Sequence, residues 1–317
     1  MTTSVFIDGG AGTTGLEIRT RLADRAEFSL ITLPDDQRKD PAARRDAIND
    51  CDVAILCLPD DAARDAAAMI ANDRTCVIDA STAHRVMDGW TYGFPELVGR
   101  DAVARAKRIS NPGCYPTGFL ALIAPLVKAG LLPAGWAYSV NAVSGYSGGG
   151  NALIDRFVED PNIAWRGYGL GLGHKHLAEM QHYAGLDHAP VFSPAVVDAH
   201  RGMMVDVPLP LGVMQQAFGN SDANANDMRD CLTEFYAGSP IVSIAPADHP
   251  PAELLLHKDA APWDGLQLFV FGNGETGPNA QARLIARLDN LGKGASGAAV
   301  QSLNLISGLP EAAGLAL

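Results

Sequence analysis

The chain has 317 residues, of which 47% are hydrophobic and 19% are charged, about twice the ~150 residues of a usual domain at an ordinary globular composition. Two domains with substantial apolar cores are therefore expected, and extensive disorder is excluded. The 24 Lys and Arg residues against 36 Asp and Glu give a formal net charge of −12, a field that repels nucleic-acid phosphates.

The N-terminal segment and the cysteines indicate the compartment. No basic segment precedes an apolar stretch near the N-terminus, so the sequence shows no secretory signal. The longest apolar stretch, residues 119–127, is far shorter than the ~20 residues of a membrane span. The five cysteines form no CxxC pair and no zinc-ligand spacing with histidines. We expect a cytoplasmic protein with free thiols and no metal, nucleic-acid or membrane partner.

A strand, a glycine turn and a helix are predicted first, over residues 5–8, 9–15 and 16–25. The turn contains the pattern GxGxxG between the strand and the helix, the context in which backbone N–H groups approach a dinucleotide pyrophosphate. A tight turn that needs positive φ is the alternative explanation. The candidate cofactor-binding residues here are Gly10, Gly12, Thr13, Thr14 and Gly15.

Further strands are predicted at residues 28–33, 53–58 and 76–80, with a helix over 61–71. Strands that alternate with helices and are near-continuously apolar indicate an α/β fold with a doubly wound parallel (Rossmann-like) sheet. After the second strand, Asp35 or Asp36 would accept the ribose hydroxyls of NAD, whereas Arg38 and Lys39 would clamp the 2′-phosphate of NADP. The spacing leaves both open, along with a merely exposed charged loop.

A cluster of turn residues at 110–113 is the predicted boundary to a second domain. A strand over residues 138–143 leads into the glycine-rich residues 145–150, and residues 186–262 have the composition of antiparallel strands and loops. These patterns predict an α+β second domain on a mixed or antiparallel sheet. Residues 289–308 are predicted to be helical, although three glycines weaken that helix.

Cys114 is the candidate nucleophile. It lies between the turn at 110–113 and an apolar segment, residues 118–127, that is predicted to be helical. Unpaired N–H groups at a helix N-terminus stabilise a thiolate and so increase its reactivity at neutral pH. A thiolate beside a nicotinamide site suggests thioester chemistry, which needs an acid/base group.

His174 and His176 are the candidate acid/base residues, in a segment that also contains Glu179. Two histidines at positions i and i+2 do not share one helical face, so a two-ligand metal site is disfavoured. A structural or surface histidine is the ordinary alternative for either residue.

These segments together resemble the N-acetyl-gamma-glutamyl-phosphate reductases of the shorter-chain type, relatives of aspartate-semialdehyde dehydrogenase. The matching segments occur in the family's order and span nearly the whole chain: residues 7–16, 92–97, 110–117, 144–150, 174–176, 289–295 and 308–311. The cysteine segment and the segment with Asn290, Lys293 and Gly294 are the most specific.

The resemblance implies NADPH-dependent reductive dephosphorylation of N-acetyl-gamma-glutamyl phosphate to its semialdehyde, a step of arginine biosynthesis. It implies that Cys114 accepts the acyl group and that His176, or else His174, is the acid/base. Arg85 matches the position that grips the substrate phosphate, and Asn290 a position near the nicotinamide carboxamide. Asn111, Ser144 and Gly145 are the further candidate substrate-binding residues.

The resemblance also implies a homodimer or homotetramer and a C-terminal helix that returns to the first domain. The expected domains are therefore residues 1–113 plus 287–317 for the dinucleotide and 114–286 for catalysis and oligomerisation. Ala178 stands where the family commonly has proline, and Tyr146 where a smaller residue is expected. The alternatives are reduction of a neighbouring acyl phosphate, aspartyl or acetylaminoadipyl phosphate, and a non-catalytic NADP-binding redox sensor.

Overall fold

The computed structural model describes residues 2–219 and 223–317, which fold into two compact units. The first unit runs up to Gly113 and includes Ala295–Leu315, and the second comprises Cys114–Gly294 with Ala316–Leu317. The predicted returning segment, residues 287–317, therefore starts too early. Residues up to Leu288 are hydrogen-bonded within a strand of the second unit's sheet, and only the chain beyond that strand and the following turn joins the first unit.

The described strands of the first unit form a parallel sheet, which confirms the predicted doubly wound fold class. Its order is β2-β1-β3-β4-β6-β5 and all its neighbours are parallel. All four residues of the central strand β3 are buried, which explains its continuous apolar sequence. The bounds are β1 (Thr3–Asp8), β2 (Phe28–Ile31), β3 (Val53–Leu56), β4 (Cys76–Asp79), β5 (Thr91–Tyr92) and β6 (Arg108–Ser110).

The helices that connect these strands begin with residues suited to helix starts. Asp40 caps α2 by accepting a hydrogen bond from the Ala43 N–H, and Pro41 occupies its first turn. The first helix begins at Thr13, three residues before the predicted start, because the glycine turn ends at Gly12. The bounds are α1 (Thr13–Leu22), α2 (Pro41–Asp50), α3 (Asp60–Ala68), α4 (Pro95–Val98) and α5 (Arg100–Ala104).

The second unit contains a mixed sheet in the order β11-β12-β13-β10-β7-β9-β8. Two of its pairings, β7 with β9 and β11 with β12, are parallel, and the others are antiparallel. The strands are β7 (Ser139–Gly145), β8 (Trp165–Gly167), β9 (Val191–Val197), β10 (Met203–Leu209), β11 (Val242–Ile244), β12 (Leu266–Gly272) and β13 (Ala282–Leu288). Its helices are α6 (Cys114–Lys128), α7 (Asn151–Glu159), α8 (Leu177–Ala184), α9 (Leu211–Phe218) and α10 (Ala225–Phe235).

Two of these helices correct the expectation of strands and loops over residues 186–262. Helix α9 follows Pro210 and ends at Gly219, whose φ of +62° is the left-handed conformation of a helix C-cap. Helix α10 begins with a reciprocal capping box between Asn224 and Asp227. Both helices carry a local start signal and α9 also a stop signal, so the sequence held the information that the interpretation of this region missed.

Helix α6 packs closely on the sheet of the second unit. A Cβ on Gly118 would lie 2.7 Å from Cγ2 of Val205 in β10, so glycine is required for the helix to approach the strand this closely. Further along the chain, the predicted helix at 289–308 is shorter than expected. A π-helical turn at Gly292–Ser296 precedes the helix α11 (Gly297–Ile306), which is largely buried in the first unit. No helix in the described part of the chain has the length and apolar character that crossing a membrane requires.

Candidate active site

The glycine turn of the first unit has the shape of a pyrophosphate cradle. Gly9 has φ of +84°, and a Cβ there would lie 2.2 Å from the carbonyl oxygen of Cys57, so Gly9 makes the tight turn. A Cβ on Gly15 would lie 2.6 Å from the Gly9 oxygen, which fixes the close contact of α1 with the turn. The predicted GxGxxG pattern did not include Gly9, although it carries the most constrained backbone.

Gly12 differs from these two glycines. A Cβ on Gly12 would meet the protein only at an ordinary 3.5 Å from the Gly9 oxygen. Packing within the described chain therefore does not require glycine at this position, whereas close approach of a ligand to the backbone does. Gly12 is also the N-cap of α1 and makes no side-chain capping bond, which leaves the helix start suited to an anion. The turn thus fits the pyrophosphate of a dinucleotide.

A cavity of about 460 Å³ adjoins this turn. Arg38 and Lys39, predicted to clamp a 2′-phosphate, both line it, and so do Arg19 and Arg44, which the sequence did not single out. Asp35 lines it too, but its carboxylate is 91% exposed and pairs with Arg38 at 3.3 Å. The basic side chains make this cavity suitable for an anionic group in a protein of net negative charge.

The guanidinium of Arg85 is buried at the carboxyl end of β4. Its Nε donates to the carbonyl oxygen of Asn111 at 2.9 Å, and its Nη2 donates to that of Ala80 at 3.3 Å. The Asn111 side chain donates from Nδ2 to the Ala295 oxygen at 3.0 Å, and its buried Oδ1 has no hydrogen-bond partner in the described chain. An orphaned buried acceptor of this kind suits a donor supplied by a ligand.

A cluster that sequence reasoning missed lies on both sides of Arg85 in the chain. Nδ1 of His84 lies 2.6 Å from Oδ2 of Asp79, which also accepts a hydrogen bond from the Ser81 hydroxyl at 2.7 Å. The His84 ring stacks on Trp90 with centroids 4.0 Å apart. Because the partners are separated by up to eleven residues and share no periodicity, local sequence does not reveal this cluster.

In the second unit, Cys114 is the first residue of α6 and its side chain is half-buried rather than sealed. Cys114 therefore lies at a helix N-terminus, and stabilisation of its thiolate there stays a prediction. Gly294 packs against it: a Cβ on Gly294 would lie 2.9 Å from Cβ of Cys114. The segment with Asn290, Lys293 and Gly294, one of the two most specific for the family resemblance, thus contacts the candidate nucleophile within the second unit.

The predicted histidine pair lies at the start of α8, with ring centroids 4.7 Å apart. The backbone N–H of His176 donates to Nδ1 of His174 at 3.1 Å, so a neutral His174 carries its proton on Nε2. Burial, and secondarily the charge of Lys175, lowers the pKa of His174 below its usual 6.5. His174 is therefore neutral at physiological pH and already committed to an internal hydrogen bond, whereas His176 is the N-cap of α8 and is itself buried.

Two tyrosines join the cysteine and histidine segments. The Tyr115 ring lies 6.1 Å from that of His174 and 5.9 Å from that of His176. The Tyr168 hydroxyl donates to the Tyr115 hydroxyl at 3.2 Å, which in turn donates to the Ala195 carbonyl at 3.1 Å. Burial raises the pKa of both hydroxyls, that of Tyr168 to about 12. Both tyrosines therefore remain neutral, and their hydroxyls are held in place by hydrogen bonds. The sequence interpretation had not included them.

Strand β7 ends with Ser144 and Gly145, both predicted to bind substrate. The Ser144 hydroxyl donates to the Gly145 carbonyl at 3.0 Å. A Cβ on Gly145 would lie 2.7 Å from the carbonyl oxygen of His200, so this glycine is required by close packing of two segments. Tyr146, which departs from the family pattern, stacks on Phe157 with centroids 5.1 Å apart. Its ring thus has a packing partner on α7.

The side chain of Asn290 makes hydrogen bonds to two other segments of the second unit. Its Nδ2 donates to the Ser147 hydroxyl at 2.9 Å, and its Oδ1 accepts from the Gly202 N–H at 3.0 Å. Both ends of the buried amide are therefore used within the protein, and the predicted contact with the nicotinamide carboxamide stays a prediction. No group of three or more potential metal-ligating side chains occurs among the residues that the structure describes.

Comparison with known proteins gives a consistent picture over both units. Residues 4–106 match the model of the semialdehyde dehydrogenase NAD binding domain, and residues 114–290 match that of the semialdehyde dehydrogenase dimerisation domain. N-acetyl-gamma-glutamyl-phosphate reductase 2 of Nostoc sp. is 46% identical, with 98% of each chain covered. The N-acetyl-gamma-glutamyl-phosphate reductase of Burkholderia cenocepacia is 47% identical, with 98% of this chain and 99% of that one covered.

A solved structure shares the fold. The crystal structure of aspartate semialdehyde dehydrogenase II from Vibrio cholerae matches with a TM-score of 0.67 at 16% identity, and the alignment covers 96% of this chain and 98% of that one.

Proposed function

The chain belongs to the semialdehyde dehydrogenase family, among the N-acetyl-gamma-glutamyl-phosphate reductases, and we propose that it reduces N-acetyl-gamma-glutamyl phosphate to N-acetylglutamate semialdehyde with NADPH, a step of arginine biosynthesis. The observation that carries this proposal is the position of Cys114. Cys114 is partly accessible and is the first residue of α6, and the next residue, Tyr115, contacts both candidate histidines.

Cys114 is the nucleophile of the proposed reaction. Its thiolate attacks the γ-carbonyl carbon of the acyl phosphate, a C–S bond forms, and the C–O bond to phosphate breaks to release inorganic phosphate. The N-terminal end of α6, with its positive helix dipole, would stabilise the thiolate before attack and the oxyanion that forms. The product on the enzyme is a thioester of Cys114.

Arg85 and Asn111 would hold the substrate. Two carbonyl hydrogen bonds fix the plane of the Arg85 guanidinium, and a fixed planar cation suits a phosphoryl group. The orphaned Oδ1 of Asn111 is an acceptor for a donor on the ligand. The proposed roles of Ser144 and Gly145 rest on the family resemblance and on their place at the C-terminal end of β7.

His176 is the proposed acid/base. It would donate a proton to the oxygen of the reduced thioester and take it back as the C–S bond breaks and the aldehyde leaves. His174 would orient it, because its Nδ1 accepts the His176 N–H and the two rings lie 4.7 Å apart. Ala178 does not prevent the local helix, since α8 begins at Leu177.

The glycine turn and its adjoining cavity would bind the dinucleotide. Gly10, Gly12 and Gly15 with Thr13 and Thr14 would hold the pyrophosphate at the start of α1. Arg38 and Lys39 line the cavity in which a 2′-phosphate would lie. When bound there, NADPH would supply the hydride that the reduction of the thioester to the aldehyde level requires.

The second unit is the proposed oligomerisation surface of a homodimer or homotetramer. Its sheet carries a groove of about 670 Å³ whose apolar lining includes Trp165, Met204, Leu254 and Phe271, and Trp165 is 63% exposed. Exposed aromatic side chains over a sheet are typical of surfaces buried by association. Light scattering of the purified protein tests this: a monomer at micromolar concentration would contradict it.

The reverse reaction tests the proposed activity. We expect phosphate-dependent reduction of NADP⁺ with N-acetylglutamate semialdehyde and far less with aspartate semialdehyde or the acetylated six-carbon homologue. Preference for another semialdehyde would identify the substrate as a neighbouring acyl phosphate. Cys114→Ser should lose at least about a thousandfold in turnover, whereas the matched variant Cys231→Ser should keep wild-type turnover.

Alkylation of the thiol separates an enzyme from a sensor. Iodoacetamide near neutral pH should modify Cys114 ahead of the other cysteines, with loss of activity, and substrate should slow both. An inert Cys114 together with no turnover of any semialdehyde would instead support the non-catalytic redox sensor.

A further inference from the structure

The cavity beside the glycine turn of the first unit contains a buried ion pair in addition to its exposed charged side chains. Arg44, on the first turns of α2, donates from Nε to Oδ1 and Oδ2 of Asp8 at 3.2 and 3.0 Å, and from Nη2 to Oδ2 at 2.8 Å. Asp8 is the last residue of β1 and is buried. Both residues line the cavity.

This pair holds the guanidinium in one plane. The Arg44 side chain is 15% exposed and that of Asp8 is 5% exposed, so solvent screens their interaction less than that of a surface pair. Asp40 and Pro41 fix the start of α2 and hence the position of Arg44 on its first turns. The bonds to Asp8 use Nε and Nη2, and Nη1 makes no hydrogen bond within the described chain.

Arg38, the residue that the sequence suggested for phosphate binding, is held much less firmly. Its side chain is 52% exposed and pairs with the 91% exposed Asp35 at 3.3 Å. An exposed ion pair of this kind stabilises one geometry only slightly. Arg38 therefore adds positive charge near the cavity mouth but has no fixed direction.

The end of β2 also bears on which dinucleotide fits. An enzyme that prefers NAD has an acidic residue there, which accepts the ribose hydroxyls and repels a 2′-phosphate. Here β2 ends at Ile31 and is followed by Thr32 and Leu33, all of which line the cavity. An uncharged strand end leaves room for a phosphate next to a preset cation.

We propose that Arg44, oriented by Asp8, binds the 2′-phosphate of the dinucleotide and sets the preference for NADP(H) over NAD(H). The inference rests on the proposed function for the presence of a dinucleotide. Asp8 neutralises part of the charge of Arg44 but fixes the direction of its Nη1. The pair therefore selects a phosphate group by its position as well as by its charge. Arg38 and Lys39 contribute electrostatic attraction without that direction.

The experiment measures equilibrium binding of NADPH and of NADH in the absence of substrate. The fluorescence of the reduced nicotinamide is the signal that reports binding during each titration. Arg44→Gln should raise the Kd for NADPH at least tenfold and leave the Kd for NADH within about twofold, which is a loss of about 1.4 kcal/mol of discrimination. Arg45→Gln is the matched control, since Arg45 is the next residue of α2 and exposed, and it should change neither Kd by more than about twofold.

Two further measurements make the test decisive. Adenosine 2′,5′-bisphosphate, which carries the 2′-phosphate but no nicotinamide, should lose affinity for Arg44→Gln in calorimetry and keep it for Arg45→Gln. If Arg44→Gln fails to fold by circular dichroism, Arg44→Lys replaces it; it keeps the charge but loses the two-pronged bond to Asp8, and should still weaken NADPH several-fold.

The outcomes distinguish this inference from the proposed function. Wild-type protein that binds NADPH and NADH equally would overturn the cofactor choice itself. Wild-type protein that prefers NADPH, with an unchanged preference in Arg44→Gln, would overturn only the assignment of Arg44. A preference that is lost in Arg38→Gln but kept in Arg44→Gln would do the same and give the role to the exposed loop.

Discussion

Gly294 packs directly against Cys114, so closely that a methyl group on Gly294 would lie 2.9 Å from Cβ of Cys114 and 3.0 Å from the Asp289 carbonyl oxygen. Neither neighbour is the flexible end of a long side chain, so neither moves aside at low cost. The absence of a side chain at position 294 therefore lets this segment pack closely against the first residue of α6.

Replacing this glycine should damage catalysis more than folding. In Gly294→Ala the added methyl group displaces Cys114, and a displacement of about 1 Å in a reacting group costs about a hundredfold in kcat. Steady-state kinetics of the reverse reaction measure the loss. Gly171→Ala is the control, because a Cβ there meets nothing within 4 Å. A Gly294→Ala enzyme with wild-type kcat would show that Cys114 tolerates the shift or is not the nucleophile.

The lowered pKa of His174 predicts how stability depends on pH. Burial, then the charge of Lys175, moves the folded-state pKa below 6.5. Between that pKa and about 6.5 the unfolded chain binds more protons than the folded chain, so the free energy of unfolding falls as the pH falls through this window. Urea denaturation at about pH 7 and pH 5.5 should show a smaller fall for His174→Asn than for wild type.

Lys175 gives a direct check on the cause of that shift. Lys175→Met removes the secondary cause and should raise the pKa of His174 part of the way toward 6.5, as followed by the Cε1–H resonance in an NMR titration. Lys128→Met makes the same charge change at the exposed end of α6 and should leave the titration unchanged. A wild-type His174 that titrates at or above 6.5 would contradict the assignment of burial as the main cause.

The sequence predicts those features of the fold that depend on residues close together in the chain. The alternation of apolar strands and helices indicated the parallel sheet correctly, because each strand of such a sheet is buried on both faces. The glycine pattern located the turn, although the positive φ belongs to Gly9, one residue before the match. Helices α9 and α10 were missed despite a proline start and a capping box, because short apolar runs were interpreted as strands.

Long-range pairs were beyond the reach of local patterns. Asp8 and Arg44 are 36 residues apart, and their interaction depends on how α2 returns over the end of β1. The hydrogen-bonded hydroxyls of Tyr168 and Tyr115 join the residue after β8 to α6 and, through the Ala195 carbonyl, to β9. Neither interaction has a sequence spacing that differs from that of unrelated polar residues. The sequence therefore supplied the candidate nucleophile and the candidate histidines but not these long-range contacts.

The two tyrosines should differ in their contribution to stability. Tyr168→Phe removes one donor and leaves the Tyr115 bond to Ala195 intact, at a cost of about 0.5–1.5 kcal/mol in the free energy of unfolding. Tyr115→Phe deprives both the Ala195 carbonyl and the Tyr168 hydroxyl of a partner, at about 1–3 kcal/mol. Urea denaturation measures both losses. Tyr146→Phe is the control, since the Tyr146 hydroxyl makes no hydrogen bond in the described part of the chain; equal effects of the three variants would refute this ranking.

The buried pair of Asp79 and His84 should couple stability to phosphate binding. Asp79→Asn replaces a carboxyl group whose Oδ2 lies 2.6 Å from Nδ1 of His84 and accepts from the Ser81 hydroxyl at 2.7 Å. A buried polar group left without its partner costs about 1–3 kcal/mol. His84→Phe keeps a ring that stacks on Trp90 but removes the bond to Asp79. If the two side chains act as a pair, the double variant should lose less free energy of unfolding than the two single variants together, by about 0.5–3 kcal/mol.

The same variants should weaken the use of phosphate, because the cluster fixes the turn that carries Arg85. His84→Phe should raise the KM for inorganic phosphate in the reverse reaction several-fold, with a smaller change in kcat, since it acts on binding rather than on the sulfur. Asp61→Asn is the matched control for Asp79→Asn, because Asp61 is fully exposed and only loosely paired with Arg64 at 3.7 Å. Strictly additive losses of stability, or an unchanged phosphate KM in a folded His84→Phe enzyme, would separate this cluster from the phosphate site.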